Sequence, residues 1–140
     1  MDYFPIFCNL KGKRCLIVGG GQVATHKAKS LLAAGAVLRL VAPTLTPELA
    51  TLHACGDIEW FPATFAPQYL HACWLVIAAT SDPQVNRQVA GAASARHLFC
   101  NVTDDLSAAT FISPAIIDHS PVIIALSCGG NAPVYSKILK

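Results

Sequence analysis

Short apolar runs alternate with longer stretches of helical spacing along most of the chain. Residues 14–18, 37–42, 57–61, 73–79 and 98–102 read as strands. Between the first two, Val23, Ala24, Ala28, Leu31 and Leu32 recur at helical spacing over residues 22–34, and Gly35 supplies the stop. Thr46-Pro47-Glu48 starts a second helix, with Thr46 as N-cap and Pro47 at the first helical position. Residues 65–70 read as a helical turn, and Thr80-Ser81-Asp82-Pro83 caps a helix reaching about Arg96. The run 73–79 is apolar on both faces, as a strand inside a parallel sheet must be. The pattern β-α-β-α-β-(α)-β-α-β predicts an α/β fold, a doubly wound parallel sheet with helices on both faces and right-handed crossovers.

The last third reads differently. Residues 110–117 and 122–127, separated by Asp118-His119-Ser120-Pro121, predict an antiparallel β-hairpin. Gly129-Gly130-Asn131-Ala132-Pro133 then opens a helix with Asn131 or Ala132 at its cap. A hairpin and one short helix make no core of their own. They would expose Ile112, Ile116, Ile117, Val122, Ile123, Ile124 and Leu126, and exposed apolar surface of this kind marks an interface. We therefore expect one domain over residues 1–113 and a dimerisation segment over 114–140, in a chain expected to continue beyond residue 140.

Composition narrows the function classes. Of 140 residues, 54% are hydrophobic and 13% charged, which excludes a disordered chain. A net charge of +2 with scattered Lys and Arg excludes a nucleic-acid module. The longest apolar run, 72–79, is far short of the ~18–20 residues of a spanning helix, and no signal-peptide pattern opens the chain. The expectation is a cytoplasmic protein that meets neither membrane nor nucleic acid. The six cysteines form no C-x-x-C pair, and Cys15, Cys73 and Cys100 stand in strand contexts where cysteine acts as a small hydrophobe. The five histidines lack metal-ligand spacing, so no resident metal is expected.

Gly19-x-Gly21-x-x-Ala24 lies between the first strand and first helix, and has the G-x-G-x-x-A form of a dinucleotide fingerprint. Gly19 permits the tight turn, Gly21 lets the backbone approach a pyrophosphate, and the helix starting at Gln22 aims free N–H groups at it. The acidic residue expected ~20 positions later to bind ribose is absent. Val41-Ala42-Pro43-Thr44 stands there instead, so backbone groups or Thr44 would hold the ribose. No arginine marks a 2′-phosphate site, although Arg39 lies on the strand, and the motif leaves NAD and NADP open. On the same sheet edge, Ser81 or Asp82 is ordinarily an N-cap. Asp104 and Asp105 follow the fifth strand directly, where a carboxylate could take a proton beside a hydride transfer. A solvated turn is the competing reading of that pair.

Several segments together resemble one family. Residues 10–24 with Lys27 and Ala28, then Val41-Ala42-Pro43, residues 75–80, Val85-Asn86, residues 99–102, residues 109–115 and residues 127–133 are similar, in order, to the precorrin-2 dehydrogenase/sirohydrochlorin ferrochelatase family, and most to the N-terminal module of bacterial sirohaem synthases. The resemblance implies a Rossmann-like domain that oxidises precorrin-2 to sirohydrochlorin with NAD, and then inserts Fe²⁺, a substrate, to give sirohaem. It implies that Asp104 is the essential aspartate, with cofactor contacts on Gln22, Val23, Pro43 and Thr44 beside Gly19 and Gly21. It also implies a homodimer built through the segment after the first domain, and a methyltransferase module, fused or separate. Cys128 stands where related sequences often have Ser. A non-catalytic nucleotide-sensing or scaffold domain on the same fold is the alternative, and the carboxylate of residues 101–104 is what discriminates, because a sensor has no use for it.

Overall fold

Arg14–Val18 forms β1, and every residue after Arg14 in it is buried, as in a strand covered on both faces. A computed structural model of the chain describes residues 1–129. β1 pairs in parallel with β2 (Val37–Val41) on one side and with β4 (Cys73–Ala78) on the other. β3 (Ile58–Phe61) extends the sheet beyond β2, and β5 (Phe99–Val102) extends it beyond β4, giving the order β3-β2-β1-β4-β5. This is the doubly wound parallel sheet expected from the alternating pattern. The strand order reverses between β1 and β4, and such reversals open a crevice at the carboxyl ends of the strands.

Three helices cover the sheet. α1 (Gln22–Ala33) joins β1 to β2, α2 (Pro47–Ala54) joins β2 to β3, and α3 (Pro83–Ala95) joins β4 to β5. Right-handed crossovers put α1 and α2 on one face and α3 on the other. Alternation along the strands then sorts the core. Leu16, Val18, Val41, Val76 and Val102 pack with Val89 and Ala93 of α3 and with Leu70. Leu70 closes a 3₁₀ turn at Pro67–Leu70, the helical turn expected at 65–70. Cys15, Ile17, Leu38 and Leu40 point the other way, where Ala24, Ala28 and Leu31 of α1 and Leu49 of α2 are buried.

Backbone pairing continues one residue past the strands. Gly19 N–H donates to Val41 O (2.9 Å), Ala79 N–H to Val18 O (2.8 Å), and Thr103 N–H to Ala78 O (3.1 Å). The loops after β1, β2, β4 and β5 therefore leave the sheet at one level.

The described residues separate into two compact units, Phe7–Thr110 and Met1–Ile6 with residues 111–129. The second contains the expected hairpin, β6 (Ala115–His119) antiparallel to β7 (Val122–Leu126). Its extent differs from the sequence expectation. Asp118 and His119 belong to β6, leaving Ser120-Pro121, joined by a cis peptide bond, between the strands. Thr110 serves the large sheet instead. Its hydroxyl accepts from Cys100 N–H at 2.8 Å and its N–H donates to Cys100 O at 2.7 Å, so it closes the free edge of β5. The helix expected after Gly129 lies outside the described residues.

Cys15, Cys73 and Cys100 are buried, whereas Cys8, Cys55 and Cys128 are exposed. Burial pushes the Cys15 and Cys100 thiols up to about 11 and raises Cys73 in the same direction. Only thiolate attacks a disulfide reagent. At pH 8 the native chain should react quickly at Cys8, Cys55 and Cys128, and at the other three only after denaturation. Fast labelling of Cys15 or Cys100 in the folded protein would contradict this packing.

Candidate functional site

The turn from β1 into α1 is glycine for steric reasons that differ by position. Gly19 has φ +135, and a Cβ there would run into the backbone carbonyl of Ala79. A Cβ on Gly20 would strike the carbonyl of Thr44 and sit 2.9 Å from the Ala42 Cβ. At Gly21 a Cβ would meet no protein atom within 4 Å. The first two glycines therefore let the loops after β4 and β2 close onto the turn. The third opens a space at the helix entrance that no other described residue fills. The sequence reading gave the tight turn to Gly19 and missed Gly20, because a clash with Thr44 is a long-range contact.

Hydrogen bonds lock this turn to α2. Thr25, fully buried, donates from its hydroxyl to Gly21 O at 2.8 Å. Its only hydroxyl proton is used there, so the 2.9 Å contact with Thr46 must be donated by Thr46. Thr46 N–H donates to Gly20 O at 3.0 Å, and its Oγ1 accepts from Leu49 N–H at 3.2 Å as the cap of α2. α3 is likewise capped by a side chain, Asp82, which accepts from Gln84 N–H at 2.9 Å. Ser81 is not the cap. At α1 the N-cap is Gly21, with no side-chain cap and no acidic residue in the first turn. Gln22 and Val23, its first two residues, are exposed, as are Pro43 and Thr44 across the turn. A helix start with open amide donors and a positive dipole end is chemically suited to an anion.

The other half of the edge is organised around Asn86 in the first turns of α3. Thr80 N–H and Thr80 Oγ1 donate to its Oδ1 at 3.2 and 2.7 Å. Its Nδ2 donates to Thr80 O at 3.1 Å and to Asp104 Oδ1 at 3.3 Å. Asn86, Asp104 and Asp105 line an open cleft of about 210 Å³ together with Pro83, Arg87 and Val102. Gly19 touches Ala79 and Thr80, Thr80 bonds Asn86, and Asn86 bonds Asp104, so the glycine turn and Asp104 belong to one connected edge.

The two aspartates differ. Asp105 caps a 3₁₀ turn at Leu106–Ala108, accepting from Ser107 N–H (3.1 Å) and Ser107 Oγ (2.6 Å). The Ser107 hydroxyl bond lowers its carboxyl below the ordinary range, with Arg87 adding to the effect. Asp104 is exposed and takes one hydrogen bond among the described residues, from Asn86. Arg39 is engaged elsewhere. Its guanidinium donates to Tyr69 O (3.1 Å), approaches Glu59 (3.6 Å) and lies over the Phe61 ring at 5.3 Å. Among the described residues no three His, Cys, Asp or Glu side chains gather as a metal site, and no helix is long and apolar enough to cross a membrane.

Comparison with known proteins agrees with this geometry. Residues 6–115 match the NAD_binding_7 family model, described as "Putative NAD(P)-binding". Over all 140 residues the chain is 53% identical to "Siroheme synthase 3" of Aeromonas hydrophila subsp. hydrophila and 51% identical to "Siroheme synthase" of Chromobacterium violaceum. The chain belongs to the precorrin-2 dehydrogenase/sirohaem synthase family. A solved structure titled "SirC, precorrin-2 dehydrogenase" superposes with a TM-score of 0.83 at 27% identity, covering 98% of this chain and 67% of that one. The chain spans 30% of the length of the two sirohaem synthases it matches. It thus carries a domain of the NAD(P)-binding type over residues 6–115.

The glycines separate packing from binding. Gly20→Ala should cost about 1–3 kcal/mol in urea denaturation, the range for forcing a methyl into filled space. Gly21→Ala should cost less, at most about 1 kcal/mol for the poorer N-cap, because its Cβ enters open space. Equal destabilisation by both would contradict the assignment of the open space to Gly21.

Proposed function

We propose that this chain binds NAD with its pyrophosphate against Gly19, Gly21 and the first amides of α1 at Gln22 and Val23. Pro43 and Thr44 lie beside the adenosine ribose. Two features of the chain fit that group, the unfilled space at Gly21 and the α1 start without a side-chain cap. NAD is favoured over NADP because the Arg39 guanidinium is engaged by Tyr69 O, Glu59 and Phe61, and its unpartnered Nε is buried, out of reach of a 2′-phosphate.

The reaction is the oxidation of precorrin-2 to sirohydrochlorin, followed in the complete enzyme by Fe²⁺ insertion to sirohaem with iron as a substrate. NAD supplies the hydride acceptor. The chain must supply a group that takes the proton left behind, and insertion of iron likewise requires the pyrrole N–H protons to leave. Asp104 is that group. The observation that carries this reading is the difference between the two aspartates: Asp105 is consumed by capping, while Asp104 stands exposed at the cleft with most of its acceptor capacity unused. The cleft is smaller than the ~300–1,000 Å³ of an enclosing ligand pocket, so it meets one edge of a tetrapyrrole rather than surrounding it. A methyltransferase module, fused or separate, would provide the methylated substrate, and the reading keeps the enzyme in the cytoplasm.

The test measures NAD affinity and precorrin-2 turnover side by side, in enzyme that carries the whole tetrapyrrole site. Asp104→Asn should lower turnover by ~10²–10⁴-fold, the usual scale of general-base help, and leave NAD affinity unchanged. Gly21→Asp should abolish NAD binding in a folded protein by placing a carboxylate against the diphosphate. Asp105→Asn should do far less than Asp104→Asn. Near-normal turnover of Asp104→Asn would overturn the assignment, and NAD binding with no turnover in the unmodified enzyme would favour a nucleotide sensor.

We further assign residues 114–140 to a homodimer contact. In the hairpin, Ile116, Val122, Ile123 and Ile124 are each 45–58% exposed. Sedimentation at micromolar concentration should give a dimer, and Ile123→Lys should give a monomer. A concentration-independent monomer in the unmodified chain would contradict this.

A further inference from the structure

Asn86 is a buried polar side chain that uses all of its hydrogen-bonding capacity. Thr80 N–H can only donate, so the amide atom facing it at 3.2 Å is Oδ1. That fixes the other end. Nδ2, which can only donate, must face Thr80 O and Asp104 Oδ1 at 3.1 and 3.3 Å. With four partners and 1% exposure, the amide cannot turn over without leaving buried groups unpaired. The sequence places Asn86 in a helix, 18 positions before Asp104, where it belongs to a segment of the family resemblance but has no role of its own.

We propose that Asn86 is the positioning residue for Asp104. Its locked Nδ2 holds one carboxylate oxygen and leaves the other, among the described residues, without a partner at the cleft. The inference rests on the reading of Asp104 as the acid–base group. Asparagine suits the task because it donates without carrying charge or titrating itself. The charged groups that share the cleft are Arg87 from α3 and Asp105 from the same loop. Asp105 is occupied by Ser107, and Asp82 at the start of α3 by Gln84. Asn86 is therefore the side chain that sets where the Asp104 carboxylate sits.

The test starts with the unmodified chain by NMR. The Asn86 side-chain amide, assigned by triple-resonance methods, is followed against pH beside the Asp104 carboxyl carbon. We expect the amide to shift through the same midpoint as that carbon, and to stay still in Asp104→Asn. An amide that stays still in the unmodified chain, or moves alike in both, overturns the proposal. A second arm uses Asn86→Asp in turnover-competent enzyme. A second carboxylate opposes ionisation of the first, so the acid limb of the kcat–pH profile should move up by about one unit or more. A merely structural defect would lower kcat equally at every pH, and an unshifted limb overturns the proposal. If Asp104→Asn keeps full turnover while the Asn86 amide still tracks the carboxyl, the acid–base reading fails and the contact stands.

Discussion

The close approach of three backbone segments organises the carboxyl edge of this sheet. Gly19 lies against the Ala79 carbonyl and Gly20 against the Thr44 carbonyl, at distances that no side chain would permit. Both contacts exist because the strands β1, β2 and β4 end at one level, held by pairing that runs one residue past each. Removing either glycine would push the loop after β4 or β2 outward. The bond from Thr46 to Gly20 and the bonds that Thr80 makes to Asn86 would be strained with them. The arrangement leaves an opening at Gly21, where the first helix begins without a side-chain cap.

Hydrogen-bond economy then divides roles among side chains of the same type. Thr46 and Asp82 close the starts of α2 and α3, and Asp105 closes a 3₁₀ turn. α1 has no such residue, and Asp104 caps nothing. The groups left over from structural duty are thus the amides at the start of α1 and the carboxylate after β5. The two are joined through Thr80 and Asn86, and in the proposed function the first holds a pyrophosphate and the second takes a proton.

Much of this was legible in the sequence because its causes are local. Strands buried on both faces must be apolar, and the caps Thr46 and Asp82 directly precede Pro47 and Pro83. The glycine turn and its missing acidic partner could be read from spacing. Other features depend on distant contacts. Thr110 looked like the first residue of the hairpin, since a β-branched residue suits either strand, yet it pairs with Cys100 in the large sheet. Asp104 and Asp105 were equal from position alone, and family resemblance separated them. A local signal was present in Asp105 followed by Ser107 at i+2, the spacing of a side-chain-capped turn. Asn86 offered no such signal, because its meaning lies in Thr80 and Asp104, which only the folded sheet brings to it.

The central claim is that NAD lies across the carboxyl edge from the glycine turn towards Asp104. The most direct measurement is a ¹⁵N-resolved amide titration of the chain with NAD⁺. The account predicts that the amides of Gly19, Gly21, Gln22, Val23, Thr44, Thr103 and Asp104 shift together. Those at the opposite edge of the sheet, Lys13, Val37, Trp74 and Phe99, should stay where they are. Shifts concentrated at that opposite edge, or none at saturating NAD⁺, would contradict the account.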